Sequence, residues 1–293
     1  MSGLVVQDFQ REFDGLLLGP GTPYRIVPPS AGWLDLPGVR ASYTNRARAH
    51  GGYVEPMYSG GAVYDLDLNI RATSSQSFNA AVLALEAGTY PQDATRPLWF
   101  QLPGHGLRLI NVQVQRRSIP VGLEFVRGLV FKAALQFYGP DPLKYAPTLT
   151  APTGLPTSGG GLNWTPGLAY PLNYGTPGNT GQVVCSNPGS AAVSPVLTVV
   201  GPIDSQGFQV VSVEEGLVTT YPGSVGAADV FVIDTRTGAA TLNGSTRYIT
   251  YSLMPTIPAA VAGVPGVRTF AFAALGAYSP LASLSVSFAP GYW

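Results

Sequence analysis

Charge is what this sequence has least of. Asp, Glu, Lys and Arg make up 11% of its 293 residues, under half the usual share, with 16 of each sign. So few cations cannot neutralise a phosphate backbone, and nucleic acid is not expected as a primary ligand. A single cysteine, Cys185, excludes an intrachain disulfide. The two histidines, His50 and His105, stand apart from each other and from any acid at metal-ligand spacing. No metal centre, histidine-assisted nucleophile or cofactor site is therefore expected. No apolar run approaches a membrane span, and no basic-then-apolar leader opens the chain. The expectation is a soluble protein made in a cytoplasm, so the sequons at Asn163 and Asn243 are read as chance matches. Glycine motifs for phosphate are missing, and "PGSVG" around Ser224 lacks the first glycine of a hydrolase elbow.

What the chain has instead is apolar residues and turn formers. Hydrophobic residues reach 45%, and 36 Gly with 27 Pro show no collagen period. That combination predicts many short strands joined by tight turns. The charge is also unevenly placed. Residues 1–146 carry 13 Lys/Arg and 11 Asp/Glu, against 3 and 5 in residues 147–293. Two domains with different tasks follow, in a chain whose weakly charged surface favours self-association.

The stretch "GLVVQDFQREFDGLLLG" reads as a hairpin turning at Asp14-Gly15. "AVYDLDLNIRATS" is the clearest strand, with Tyr64, Leu66, Leu68 and Ile70 on one face and Asp65, Asp67, Asn69 and Arg71 on the other. "SSQSFNAAVLALEAG" switches to helical spacing and is the single helix expected, capped at Ser74 or Ser75. "RPLWFQL" and "GLRLINVQVQRR" return to strands. "LEFVRGLVFKAALQFYG" reads by parity as one long strand from Leu123 to Tyr138, bulged at Gly128. Residues 146–162 form a Pro/Gly-rich linker by composition, dividing a domain at 1–145 from one at 163–293. The second domain reads as an antiparallel sandwich of short strands, "RYITYSL" among them.

Clusters of polar residues have plain explanations. "VFVIDTRTGAATLNGSTRY" gathers Asp234, Arg236, Asn243, Ser245 and Arg247, yet its spacing is that of two turns between strands. Cys185 ends an apolar strand and reads as a buried small residue. Glu214 and Glu215 are adjacent, so on a strand they would point apart. Asp65 and Asp67 share a strand face at about 7 Å, a separation compatible with an inverting glycosidase. A solvated or subunit-facing strand is the simpler account of that pair. Arg46, Arg48 and His50 alternate as on an arm whose one side docks on an acidic neighbour. Arg46, Arg48, Asp65 and Asp67 are thus the candidate subunit-interface residues.

Several stretches, in order, resemble the distal tail proteins of long-tailed bacteriophages, those of actinobacterial phages above all. They are "FDGLLLG", "RASYTNRARAHGGYVEPMYSGGAVYDLDLNIRA", "LQFYGPDPLKY", "IDTRTGAATLNGSTRY" and the terminal "SPLASLSVSFAPGYW". The segment from "LNWTPGLAYPLNYG" to "SPVLTVV" matches more loosely. The resemblance implies a mainly β chain. Its N-terminal domain would be a β-sandwich or split barrel with one helix, six copies of which close into a ring. Its C-terminal domain would be a galectin-like β-sandwich. It also implies a virion component without enzymatic activity or cofactor, assembled in the host cytoplasm. The implied partners are the major tail tube protein, the tape-measure protein and a tail-tip hub protein, with DNA only passing through the lumen. Receptor-binding proteins or host cell-wall sugars could be further partners. Two readings from other classes stand beside it. One is a carbohydrate-binding module on the second domain; the other is a glycosidase using Asp65 and Asp67.

Overall fold

The computed structural model describes residues 6–28, 30–160, 177–277 and 279–293. The chain divides into two compact units, Met1–Pro147 with Trp293, and Thr148–Tyr292. Strands account for 47% and helix for 7%, so the mainly β expectation holds.

The first unit is one antiparallel sheet wrapped into a nearly closed barrel. Strands β1 (Arg11–Phe13) and β2 (Leu16–Leu18) form the expected hairpin, with Asp14 and Gly15 both at positive φ. That is what a two-residue turn between twisted strands demands. Next come β3 (Tyr24–Val27), the short pairs β4 (Val39–Arg40) with β7 (Tyr58–Ser59) and β5 (Tyr43–Asn45) with β6 (Gly52–Val54), and then β8 (Ala62–Arg71). Helix α1 (Ser75–Gly88) separates β8 from β9 (Arg96–Leu102) and β10 (Gly106–Ser118). A single-turn helix, α2 (Leu123–Val126), precedes β11 (Leu129–Gly139) and β12 (Lys144–Tyr145). The main order is β2-β1-β9-β10-β11-β8-β3. Its two end strands are consecutive in sequence, and the Gly19 N–H donates to the Tyr24 carbonyl between them, 2.9 Å, so the sheet almost closes.

The core of this unit follows from strand parity. Tyr64, Leu66, Leu68 and Ile70 of β8 are fully buried together with Phe13, Leu98, Phe100, Ile110, Val112 and Phe137. Helix α1 plugs the barrel with Phe78, Ala81, Val82 and Leu85. Ser74 caps it in a reciprocal box with Ser77, and the Tyr24 hydroxyl donates to the Ala81 carbonyl at 2.6 Å.

The stretch expected as one strand from Leu123 to Tyr138 is instead α2 followed by β11, so there are two helices among the described residues and not one. Gly128, at φ +75°, ends the helical turn and is not the bulge. The bulge lies between Val130 and Ala133, with Lys132 at φ +55°. It reverses the parity, burying Val130 and exposing Phe131. The single turn of α2 is held from outside, as Phe125 packs edge-on against Phe78 of α1 at 5.2 Å.

The second unit is a two-sheet antiparallel sandwich. One sheet runs in the order β13-β23-β15-β18-β19-β20 and the other β14-β22-β16-β17-β21. Their ranges are β13 (Leu149–Gly154), β14 (Gln182–Asn187), β15 (Val196–Val200), β16 (Phe208–Ser212), β17 (Leu217–Tyr221) and β18 (Val230–Asp234). The rest are β19 (Ala239–Leu242), β20 (Ser245–Thr246), β21 (Thr250–Tyr251), β22 (Gly266–Ala274) and β23 (Ser283–Phe288). Leu197, Val199, Phe231, Ile233, Leu284 and Val286 of one sheet share a core with Cys185, Phe208, Val210, Phe270 and Phe272 of the other. Phe208 sits at its centre, with Tyr221, Phe231 and Phe272 at 5.7, 5.4 and 6.0 Å.

Two expectations change here. Leu149–Gly154, inside the stretch read as linker, pairs along β23 as strand β13. Its lack of periodicity reflects an edge strand that needs little alternation of its own. "RYITYSL" (Arg247–Leu253) is strand only at Thr250–Tyr251, which pairs with β17, while Ser245–Thr246 just before it pairs with β19 in the other sheet. Residues 161–176, which include "LNWTPGLAYPLNYG", lie outside the described residues.

Candidate subunit interface

The four candidate interface residues fall on two different features of the first unit. Arg46 and Arg48 lie at the tip of an arm, residues 39–59, built from the β4/β7 pair at its base and the β5/β6 hairpin beyond. Arg46 donates its N–H to the Gly51 carbonyl at 3.1 Å, and its guanidinium sits 5.4 Å from the Tyr53 ring. Thr44 donates to Glu55 at 2.9 Å, tying the two strands together. Almost every arm residue is exposed, including Tyr43, Tyr53, Val54, Met57 and Tyr58. Val54 is 86% exposed. An isolated two-stranded ribbon is at best marginally stable in water, and this one carries apolar side chains with no core beneath them.

Asp65 and Asp67 project from the outer face of β8, as the alternation requires. They border a polar hollow of about 390 Å³ with Arg116, Ser118 and Gln136. Gln136 donates to Asp65 at 2.9 Å. The structure thus brings Asp65 and Asp67 together and brings Arg46 near Arg48. Among the described residues no ion pair joins one pair to the other. Both aspartates are open to solvent, unlike the apolar enclosure that makes a carboxyl a general acid.

A larger cleft, about 990 Å³, opens on the same unit and was not picked out by the sequence reading. Phe9, Arg11, Arg25, Ile26, Trp33 and Leu102 line it. Arg11 is only 3% exposed, and its guanidinium lies 4.4 Å from the centre of the Trp33 ring. It donates one long hydrogen bond, to the Gln10 carbonyl at 3.4 Å, and Nε has no partner among the described residues. Burial pulls the guanidinium down to about 10. Asp35, also at the cleft, accepts from the Gly32 N–H at 2.8 Å, and its charge acts on buried Lys144. Strand parity was the available signal: Arg11 shares the inward side of β1 with Phe13.

The polar stretches of the second unit are structural. Asp234 accepts from the Arg236 N–H and the Thr237 hydroxyl, and Gly238 closes that loop at φ +74°. Asn243 accepts from the Val230 N–H and donates to Asp229, tying the turn after β19 to the start of β18. Glu214 and Glu215 do not diverge as a strand would make them, because both lie in the turn between β16 and β17. Glu215 pairs with buried Arg268 at 2.6 Å, and Glu214 reaches it at 3.9 Å while accepting from the Thr269 N–H. Burial opposes ionisation of Glu214, but the Thr269 donors and Arg268 hold its carboxyl below the ordinary range. His50 and His105 are exposed, and no group of three metal-ligating side chains occurs among the described residues. No described helix is long and apolar enough to cross a membrane.

Neither a family model nor a curated protein matches the chain. Solved structures do. The chain is similar over 98% of its length to the whole of the phage SPP1 Dit protein, with TM-score 0.59 and 15% identity. That structure is described as a paradigm of the hub adsorption apparatus in phages infecting Gram-positive bacteria. A chain of the phage P2 baseplate, in its activated conformation with calcium, matches at TM-score 0.50 and 10% identity, covering 95% of this chain and 97% of that one. The fold is accordingly the mainly β, Dit-like fold of phage tail hub proteins.

Proposed function

We propose that this protein is a structural hub of a phage tail tip, with six copies forming a ring through residues 1–145. The ring joins the tail tube to the tip proteins and leaves a lumen for the tape-measure protein and DNA. The second unit is the galectin-like outer domain in this reading. The observation that carries the proposal is the end-to-end match to a hub protein, both units included, at full coverage of that chain. The exposed apolar arm supports it, because a surface of that kind needs a neighbour.

The reading assigns Arg46 and Arg48 to contact between copies and Asp65 and Asp67 to a subunit-facing strand. Reversing both arm charges, Arg46→Glu with Arg48→Glu, should weaken assembly and leave the melting of the monomer unchanged. Normal rings from that variant would remove the two arginines from the interface.

A second reading concerns the outer domain alone. Tyr248 is 78% exposed and Tyr251, three residues on, 44% exposed, so this unit presents aromatic side chains to solvent. Cosedimentation with host cell walls that disappears on Tyr248→Ala would support a wall-binding role. Failure to sediment would leave the hub as its only task.

A further inference from the structure

The Arg11 cleft and the arm are complementary in chemistry: among the described residues Arg11 has the Trp33 ring face and one long hydrogen bond but no carboxylate, and the arm has no core beneath it. The cleft is apolar on its walls and holds a buried guanidinium whose Nε is unbonded among the described residues. An uncompensated buried cation is costly, and a desolvated carboxylate is the group that best offsets it. Arg25 adds a second positive charge at the cleft. Asp35, the acid there, accepts from the Gly32 N–H through Oδ2, its charge acts on buried Lys144, and no ion pair joins it to Arg11 among the described residues. A carboxylate set among apolar side chains is the occupant whose chemistry fits such a cleft.

The arm offers such a segment. Glu55 lies in "YVEPMY", with Val54 86%, Met57 61% and Tyr58 64% exposed around it. One of its oxygens, Oε1, accepts from Thr44; Oε2 has no partner among the described residues. Another acid flanked by exposed apolar residues, Glu124, is already paired with Arg127 at 3.3 Å. Resting on the ring proposed above, we infer that the arm of one copy seats in the Arg11 cleft of the next, with Glu55 as the counter-ion of Arg11. The contact is head-to-tail, the type of interface that generates a ring when its rotation closes.

The test separates lock from key in full-length chains. Glu55→Arg spoils the arm and keeps the cleft; Arg11→Met spoils the cleft and keeps the arm. Each variant alone should be monomeric in sedimentation velocity. Their mixture should give a one-to-one complex of twice the 30.7 kDa chain mass, because one good contact remains and no ring can close. Association of either variant with the wild type should weaken at least about tenfold, in line with a lost charge-assisted hydrogen bond. Arg11→Met should also keep or raise the melting temperature, since it removes a buried unpaired charge. Should that variant fail to fold, Arg25→Glu, at an exposed site, replaces it with the same expectation.

Rings of normal mass from both single variants would overturn the inference and leave the hub intact. Open chains of the wild type growing with concentration, together with the rescued mixed dimer, would keep the contact and overturn the ring. A wild-type chain monomeric at every concentration, both alone and with its tube and tip partners, would contradict both.

Discussion

Asn187 should be among the costliest positions in the second unit to truncate. It is fully buried at the end of β14. Its amide donates to the carbonyls of Ala191 and Pro258, each at 2.9 Å, and its oxygen accepts from the Gly189 N–H at 2.9 Å. Three backbone groups, two in the loop directly after β14 and one at distant Pro258, are thereby satisfied by one side chain. A net hydrogen bond is worth about 1 kcal/mol, and a buried group left unpaired costs about 1–3 kcal/mol. Asn187→Ala should then destabilise this unit by about 3–5 kcal/mol, near the top of the range for a point change. Hydrogen exchange of β14 and β22 amides reports it without assuming that the two units unfold together. The slowest amides should exchange roughly a hundred to several thousand times faster, at about 1.4 kcal/mol per tenfold. Asn187→Asp should be worse at neutral pH, because a carboxylate faces two carbonyls and can donate to neither. Its folded-state pKa is raised, so its damage should shrink on acidification as the protonated form regains a donor. Exchange within tenfold of wild type for Asn187→Ala would refute the reasoning, showing that water replaces the side chain.

Other outcomes follow from single features. Cys185 is buried and its thiol pushed up to about 11, so thiol reagents at pH 8 should label it only after the second unit is unfolded. Fast labelling of native protein would contradict that placement. Glu214's lowered carboxyl contributes stability above its unfolded-state value near 4.5 that is lost as pH falls through the lower folded-state value. Melting of the second unit should therefore drop on acidification below that value, and Glu214→Gln should reduce the drop. Gly32 stands at φ +87° with the Val63 carbonyl 2.1 Å from where a Cβ would lie. Gly32→Ala should shift the Trp33 loop, changing tryptophan emission and lowering stability by about 1–3 kcal/mol; an unchanged spectrum would speak against it.

What could be read from the sequence was whatever is decided locally. β8 shows its alternation and α1 its cap and spacing because neighbouring residues alone set those patterns. The Leu123–Val126 turn was hidden because it is held by a distant ring, Phe78, and ended by a glycine whose φ no pattern displays. Glu214 and Glu215 were placed on a strand, where adjacent residues diverge; in their turn both reach Arg268, fifty residues on. The candidate residues Arg46, Arg48, Asp65 and Asp67 were chosen by alternation of charge, which finds surface groups. The Arg11 cleft escaped that search because its charge is buried and its walls come from β1, β3 and the loop carrying Trp33. Its trace in the sequence was the parity that puts Arg11 beside Phe13.

The most direct test of the central claim is the native mass of the purified chain, imaged by negative stain both alone and with its tube and tip partners. The account predicts a species six times 30.7 kDa, seen as a ring with an open centre. A chain that stays monomeric in both settings would contradict it.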